Sequence, residues 1–135
     1  MTVIVTDAGF APDDWTTPMT PLDAADAGAT ALDLPNDTDP ATLAGRLDGV
    51  GMIRVDFPAV ADGRGFTIAR ELRLMGYTGR LRARGHVIAD QYAMARRSGF
   101  DEVEISDDLA HRQPEDQWRA RANWQAHDYQ ARLRG

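Results

Sequence analysis

The sequence predicts a single α/β domain built on a parallel sheet of about four to five strands flanked by helices. From residue 30 onward, short apolar segments typical of strands alternate with segments of helical periodicity. The connections between these strands are long enough to hold helices, which favours parallel pairing through right-handed crossovers. A length of 135 residues suits one domain. The strand order is left open between a half-barrel-like and a flavodoxin-like arrangement.

The predicted elements divide the chain into three segments. Residues 1–29 are an irregular N-terminal arm, rich in proline and aspartate, with one short strand at Val3–Thr6. Residues 30–112 form the α/β core. Its predicted strands are Ala31–Leu34, Met52–Phe57, Arg80–Gly85 and Asp101–Ile105, and its predicted helices run from Asp39-Pro40 to Gly49, over Phe66–Met75 and over Val87–Ser98.

Local signals support these helix boundaries. Asp39 followed by Pro40 is the pattern of an N-cap and a first helical residue. Apolar residues recur at helical spacing between Phe66 and Met75, and Gly99 is typical of a helix C-cap.

Residues 113–135 are predicted to form a C-terminal amphipathic helix of the same domain. Pro114 lies near its start, and an apolar stripe runs from Trp118 to Leu133 at spacings of i, i+4, i+8, i+11 and i+15. This stripe corresponds to about five helical turns. The sequence leaves open a homodimer formed through this helix.

Composition excludes several classes of function. The chain has no cysteine, which excludes disulfides and thiolate catalysis, and all fifteen basic residues are arginine, which excludes Schiff-base chemistry and a P-loop. A net charge of −6 disfavours nucleic-acid binding. No metal-ligand spacing and no flavin, nicotinamide or haem pattern is present, so no metal and no cofactor are predicted. With neither a membrane-spanning stretch nor a secretory signal, we expect a cytoplasmic protein without membrane contact.

Charge is distributed unevenly along the chain. Residues 1–62 carry −9 and residues 101–135 carry −3, whereas residues 63–100 carry +6 from eight arginines and two acids. A basic band within an acidic chain either binds an anion or pairs with the acids of the same protein.

The functional reading of this band is an anion site at the carboxyl edge of the sheet, where α/β proteins bind ligands. Two glycine-containing loops open helices there, and the N–H groups at a helix start attract anions. Guanidinium groups bind phosphate, sulfate or carboxylate through two parallel hydrogen bonds. The predicted anion-binding residues are Gly63, Arg64, Gly65, Arg82 and Arg84.

The structural alternative is that the band stabilises the fold. In that case Arg82 pairs with Asp56 or Asp62 inside the sheet layer. The helix arginines then cover helix surfaces: Arg70, Arg73, Arg96 and Arg97. Four residues are predicted to be either structural or part of the site: Asp56, Asp62, Arg73 and Gln91.

Two residues are weak candidates for proton transfer. His86 follows a predicted strand, and its imidazole has an ordinary pKa close to neutrality. Asp90 lies in the first turn of the next predicted helix. A lone histidine at a strand–helix junction is more often a local hydrogen-bonding residue, so the catalytic residues stay unknown at this stage.

Three sequence blocks resemble a known bacterial family. The blocks are DGRGFTIARELR at 62–73, GRLRARGHVIADQ at 79–91 and RRSGFD at 96–101, and together they resemble domain of unknown function 934 over roughly residues 30–110. His86 stands where that family usually has an acidic residue, and Arg84 looks specific to this chain. The resemblance therefore favours Arg64 and Arg82 over Arg84 as the anion-binding pair.

The resemblance implies a cytoplasmic protein associated with assimilatory sulfate and sulfite reduction. We therefore expect an accessory protein that binds a partner, such as sulfite reductase or another enzyme of sulfate assimilation, or a small anion. The alternative is an enzyme acting on a sulfur oxyanion or a phosphorylated small metabolite, with Arg64 and Arg82 holding the anion.

Overall fold

The computed structural model describes residues 2–26 and 28–127. Within this part of the chain, seven strands form one sheet in the order β2-β1-β7-β6-β5-β4-β3. The strands are β1 Thr2–Thr6, β2 Gly9–Ala11, β3 Thr20–Pro21, β4 Ala31–Leu34, β5 Met52–Phe57, β6 Arg80–Gly85 and β7 Glu102–Ser106. The α-helices are α1 Arg64–Leu74, α2 Tyr92–Ser98, α3 Asp107–Arg112 and α4 Glu115–Arg119. Short 3-10 helices lie at Leu22–Ala24, Pro40–Leu43, Ala89–Gln91 and Trp124–His127.

Strands β3 to β7 pair in parallel, and β1 pairs antiparallel with both β7 and β2. Strands β4, β5, β6 and β7 lie side by side in chain order. A flavodoxin-like sheet instead reverses its strand order at a switch point. All the carboxyl ends of β4 to β7 therefore meet along one continuous edge.

One face of the sheet carries the hydrophobic core. Alternate residues of each strand point to this face, including Leu34, Val55, Ala83 and Val103, which are buried in a single apolar cluster. Helices α1 and α2 cover it through their own apolar stripes. No helix in the described ranges is long and apolar enough to cross a membrane.

The opposite face of the sheet carries charges. Four arginines and four acids point to it, and we call this set the charged face: Asp33, Arg54, Asp56, Arg80, Arg82, Arg84, Glu102 and Glu104. Residues 12–19, which we call the strap, connect β2 at one edge of the sheet to β3 at the other. The strap contacts the charged face through Asp13 and Asp14.

The sequence predicted too few strands. The sheet has seven instead of four to five, because β2 and β3 were not predicted, whereas the short strand expected at Val3–Thr6 is present as β1. Two or three residues are too short to show a period-two pattern. The N-terminal segment, predicted as an irregular arm with one short strand, thus contributes three strands.

Two predicted helices also differ from the structure. The helix expected from Asp39 to Gly49 is only a 3-10 turn over Pro40–Leu43, although the side chain of Asp39 does cap it by accepting from the Ala41 N–H. The C-terminal helix ends at Arg119 and is followed by turns and a 3-10 helix. It ends there because the ring of Trp118 packs edge-on against Tyr92 while the indole N–H of Trp124 donates to Asp7. The last residues of the predicted stripe, Tyr129 and Leu133, lie outside the described residues.

Candidate functional site

The arginine at the centre of the charged face is fully enclosed by the chain. Arg82 has no exposed side-chain surface. Its Nε donates to Glu102 at 2.5 Å, and one terminal nitrogen donates to Glu104 at 2.9 Å. Both terminal nitrogens donate to the two oxygens of Asp13, at 3.0 and 2.9 Å. Burial would lower the pKa of Arg82, but the hydrogen bonds that Arg82 donates to Asp13 and the charge of Glu102 outweigh it and raise the pKa above the ordinary range.

This finding corrects the partners expected for Arg82. Its carboxylates come from β7 and from the strap, not from Asp56 or Asp62. Asp56 lies two strand positions further along β5, opposite Arg84, and Asp62 lies beyond the end of β5. With the strap in place, the guanidinium of Arg82 has no donor pair left for a small anion.

The ion pairs continue on both sides of Arg82. Arg54 bridges Asp33, at 2.7 Å, and Glu104, at 3.1 Å. Arg80 bridges Glu102, at 2.7 Å, and Asp14, at 2.6 Å. Glu102 is therefore shared by two arginines. Glu104 is shared by three, since Arg84 also lies 3.5 Å away, and the charged face is a connected network.

The loop between β5 and α1 holds its own ion pair. The Nε and a terminal nitrogen of Arg64 donate to the two oxygens of Asp62, at 3.1 and 2.8 Å. Asp62 also accepts from the backbone N–H of Arg64 and from Asn36. These bonds, those from Arg64 foremost, lower the pKa of Asp62. Arg64 lies on the surface with 60% of its side chain exposed, far less enclosed than Arg82.

The two glycines of this loop have different roles. Gly63 precedes the first residue of α1, and a Cβ at this position would make only an ordinary contact with Phe66 at 3.8 Å. Gly65 is buried, and a Cβ there would collide with the ring of Phe57. Gly65 thus allows α1 to pack closely on β5, which is a structural reason for a glycine in this motif.

A small cleft lies at the carboxyl edge, beside β6. It encloses about 240 Å³ and is lined by Thr2, Asp56, Arg84, His86 and Ser106, among others. The nitrogens of Arg84 lie 3.5 Å from Glu104 and 3.7 Å from Asp56, outside the range of a well-formed hydrogen bond. Within the described part of the chain, Arg84 has no hydrogen-bond acceptor, and 47% of its side chain is exposed. Arg84, which the family resemblance disfavoured as an anion-binding residue, is thus the strand arginine whose N–H groups have no hydrogen-bond acceptor among the described residues.

The proton-transfer candidates and Gln91 lie near this edge. His86 is exposed, and its backbone N–H donates to Phe57 at 2.8 Å. Asp90 accepts from Arg121 at 2.6 Å and is 73% exposed. The amide of Gln91 donates to the Val60 carbonyl at 2.9 Å and accepts from the Ile88 N–H, so Gln91 holds two loops together.

Two helix arginines are structural and do not merely cover a surface as expected. Arg73 donates to the carbonyls of Tyr77, Gly79 and Gly99 and pairs with Asp101 at 2.9 Å. Arg96 donates to the Phe100 carbonyl and pairs with Asp7.

Sequence reasoning missed the acids that complete the charged face. Glu102 and Glu104 alternate on β7 with the period of Arg80, Arg82 and Arg84 on β6. That shared period of two on consecutive strands was a readable signal of cross-strand ion pairs. The contribution of Asp13 was not readable, because nothing in the sequence places the strap across the sheet.

The sequence pattern of a bacterial family, described as bacterial protein of unknown function (DUF934), matches residues 31–135. The chain belongs to this family. The match includes every residue of the charged face, whereas β1, β2, the strap and β3 precede it. No curated protein and no solved structure matches this DUF934 member at a significant level.

Proposed function

We propose that this DUF934 protein is a cytoplasmic accessory protein of assimilatory sulfate and sulfite reduction that works by binding a partner enzyme. The link to sulfur metabolism rests on the resemblance carried by the three sequence blocks, and sulfite reductase is the first candidate partner. The assignments of Gly63, Arg64, Gly65, Arg82 and Arg84 as anion-binding residues stay predictions.

One observation favours binding over catalysis. The carboxylate of Asp90 is 73% exposed and held by Arg121 at 2.6 Å. A general acid or base usually has its pKa tuned by burial or by a directed charge within a cleft. Asp90 lies outside any such cleft that the described residues form, which weighs against the enzyme alternative that uses it for proton transfer.

Co-elution tests this proposal. The full chain is mixed with sulfite reductase from the same organism at micromolar concentrations and passed through a sizing column, with an unrelated acidic enzyme of that organism as the control. We expect co-elution with sulfite reductase alone. Separate elution at every concentration tested would contradict the partner proposed here.

A second candidate function is supported by the open donors of Arg84. The cleft beside β6 brings Arg84 and His86 to the edge where α/β enzymes bind substrates, and its volume of about 240 Å³ suits a small oxyanion. In this alternative the protein is an enzyme acting on a sulfur oxyanion or a phosphorylated small metabolite. Arg84, which has no hydrogen-bonded partner in the described residues, would hold the anion.

A further inference from the structure

The strap crosses the sheet near its full reach. Neighbouring strands lie about 4.8 Å apart, so the six spacings from β2 to β3 cover about 29 Å on a flat sheet. Ala11 and Thr20 are joined by nine Cα steps, which reach at most about 30–32 Å. Curvature of the sheet shortens the path only modestly, so the strap has little slack and is drawn across the charged face.

The strap contacts the charged face through three consecutive residues. Asp13 binds Arg82 through two parallel hydrogen bonds, at 2.9 and 3.0 Å, and Asp14 binds Arg80 at 2.6 Å. The ring of Trp15 lies 5.6 Å from the guanidinium carbon of Arg80. One terminal nitrogen of Arg82 has Asp13 as its acceptor and no other among the described residues. The surface beneath the strap therefore recognises two adjacent carboxylates followed by an aromatic ring.

The strap is held by few contacts. Its residues form no helix or strand, and Asp14 is 70% exposed. Strand β3, which anchors one end, pairs with β4 over two residues. The indole nitrogen of Trp15 is inaccessible to solvent and has no acceptor in the described part of the chain.

The charges of the sheet face balance without the strap. The four arginines of the charged face are matched by four acids on the strands, namely Asp33, Asp56, Glu102 and Glu104. Asp13 and Asp14 add two further negative charges, and three carboxylates converge on Arg82. The strap thus occupies a site whose charge is already balanced without it.

We propose that the strap is a displaceable internal ligand, and that the Arg80–Arg82 surface beneath it binds an acidic-acidic-aromatic segment of a partner protein. This inference rests on the proposed function as a partner-binding protein and names the surface and the chemistry of the segment. Release begins at β3, where breaking two strand pairs frees one end of the strap, while β1 and β2 hold the other.

The test uses the full chain carrying Asp13→Asn and Asp14→Asn. The matched control carries Asp23→Asn and Asp48→Asn, which make the same charge change at two exposed aspartates that have no ion-pair partner in the described residues. Exchange of the Trp15 indole N–H, which is inaccessible to solvent when the strap is in place, reports by NMR whether the strap is released. The probe is a blocked peptide with the sequence PDDWTT, copied from residues 12–17, and NMR shifts of the Leu81 and Ala83 amides follow its binding.

We expect faster exchange of the Trp15 indole N–H in the Asp13→Asn/Asp14→Asn variant and peptide affinity at least about ten-fold higher than in the control variant, because the competing strap has left. A PNNWTT peptide should not bind either variant. Continued protection of the Trp15 indole N–H in the Asp13→Asn/Asp14→Asn variant would overturn the proposal, as would a released strap without tighter peptide binding. Saturation of the exposed surface by sulfate alone, with no effect of the peptide, would overturn it in favour of a small anion.

These outcomes are separable from those of the co-elution experiment. The peptide reports on the Arg80–Arg82 surface whether or not sulfite reductase is the partner. If the peptide binds tightly but sulfite reductase does not co-elute, only the choice of sulfite reductase as the partner is rejected.

Discussion

The Nε of Arg82 donates to Glu102 directly across the β6–β7 pair, at 2.5 Å. Both side chains are buried, with 0% and 5% of their surface exposed. Glu104 and Asp13 complete the shell around the same guanidinium. Four charged groups from three segments of the chain are thus fixed at one point on the sheet.

Removal of Arg82 should destabilise the fold strongly. Arg82→Leu removes the one cation that Glu102 and Glu104 share and leaves these buried acids with only the half-buried arginines beside them, and breaking such a buried pair costs about 3–5 kcal/mol. Urea unfolding followed by circular dichroism measures the loss. The free energy of unfolding of Arg82→Lys should lie between those of Arg82→Leu and the wild type, because lysine keeps the charge but not the planar guanidinium group.

The matched control for that variant is Arg70→Leu. Arg70 is exposed on α1 and has no ion-pair partner among the described residues, so we expect a change within about 0.5 kcal/mol. Equal effects of the two substitutions would show that the network around Arg82 adds nothing to stability.

Gly65→Ala should destabilise the protein, whereas Gly63→Ala should not. The new methyl at residue 65 collides with the ring of Phe57, and overpacking of this kind costs about 1–3 kcal/mol. At Gly63 the nearest atom lies 3.8 Å away and the backbone φ is −90°, which alanine tolerates. Thermal unfolding of both variants distinguishes them. If both glycines formed an anion cradle, the two variants would instead lose sulfate-induced stabilisation to a similar degree.

Low pH should weaken the hydrogen bonds by which Asp7, in the loop between β1 and β2, is held to α2. Asp7 accepts from Tyr92 at 2.5 Å, from Trp124 and from Arg96. Desolvation raises the pKa of Asp7, but these hydrogen bonds and the charge of Arg96 lower it further, so the net shift is downward. The pKa of Asp7 in the folded protein is below that in the unfolded chain. Its contribution to stability is therefore full above a pH of about 4 and is lost as the pH falls through the folded pKa.

Asp7→Asn should therefore cost roughly 0.5–1 kcal/mol at neutral pH, because solvent screens a carboxylate that is 44% exposed, and less near pH 2. Asp48→Asn, at an exposed aspartate without a described partner, is the control. Urea midpoints at several pH values provide the measurement. A constant difference between Asp7→Asn and wild type from pH 7 to pH 2 would contradict the assigned role of this carboxylate.

Arg84→Met tests the cleft beside β6. A ligand that binds only the folded protein stabilises it by RT ln(1 + [L]/Kd), so sulfate in excess of its dissociation constant should raise the unfolding temperature of the wild type. We expect Arg84→Met to lose that shift and Arg70→Met to keep it, because Arg84 has open donors at the carboxyl edge. Sodium chloride at matched ionic strength removes the contribution of general screening. A sulfate shift that survives in Arg84→Met would exclude this cleft as the anion site.

The parallel core could be predicted from the sequence because its patterns are local. Strands β4, β5 and β6 begin and end at the predicted residues, since each has apolar residues at alternate positions and a glycine or proline at one or both ends. β7 is shifted by one residue, which is within the usual uncertainty of an element boundary. The antiparallel addition of β1 and the path of the strap depend on long-range pairing, which periodicity does not report.

The candidate site could be predicted only in part, for the same reason. The sequence identified the arginine band and the two readings of it. The sequence could not reveal that Asp13, separated from Arg82 by 69 residues, would accept hydrogen bonds from its guanidinium group. Nor could it show that Arg84 would keep its donors open, because that depends on distances of 3.5 and 3.7 Å across two strand pairs.

The central claim is that Arg80 and Arg82 pair with acids of the same chain, so that a small anion does not displace Asp13 from Arg82. A high-resolution crystal structure of the wild type soaked in sulfate or sulfite tests it most directly. We predict that Arg82 will be found on Asp13, Glu102 and Glu104, with any bound oxyanion at Arg84 and His86. An oxyanion bound to both Arg64 and Arg82, with Asp13 displaced, would contradict the claim.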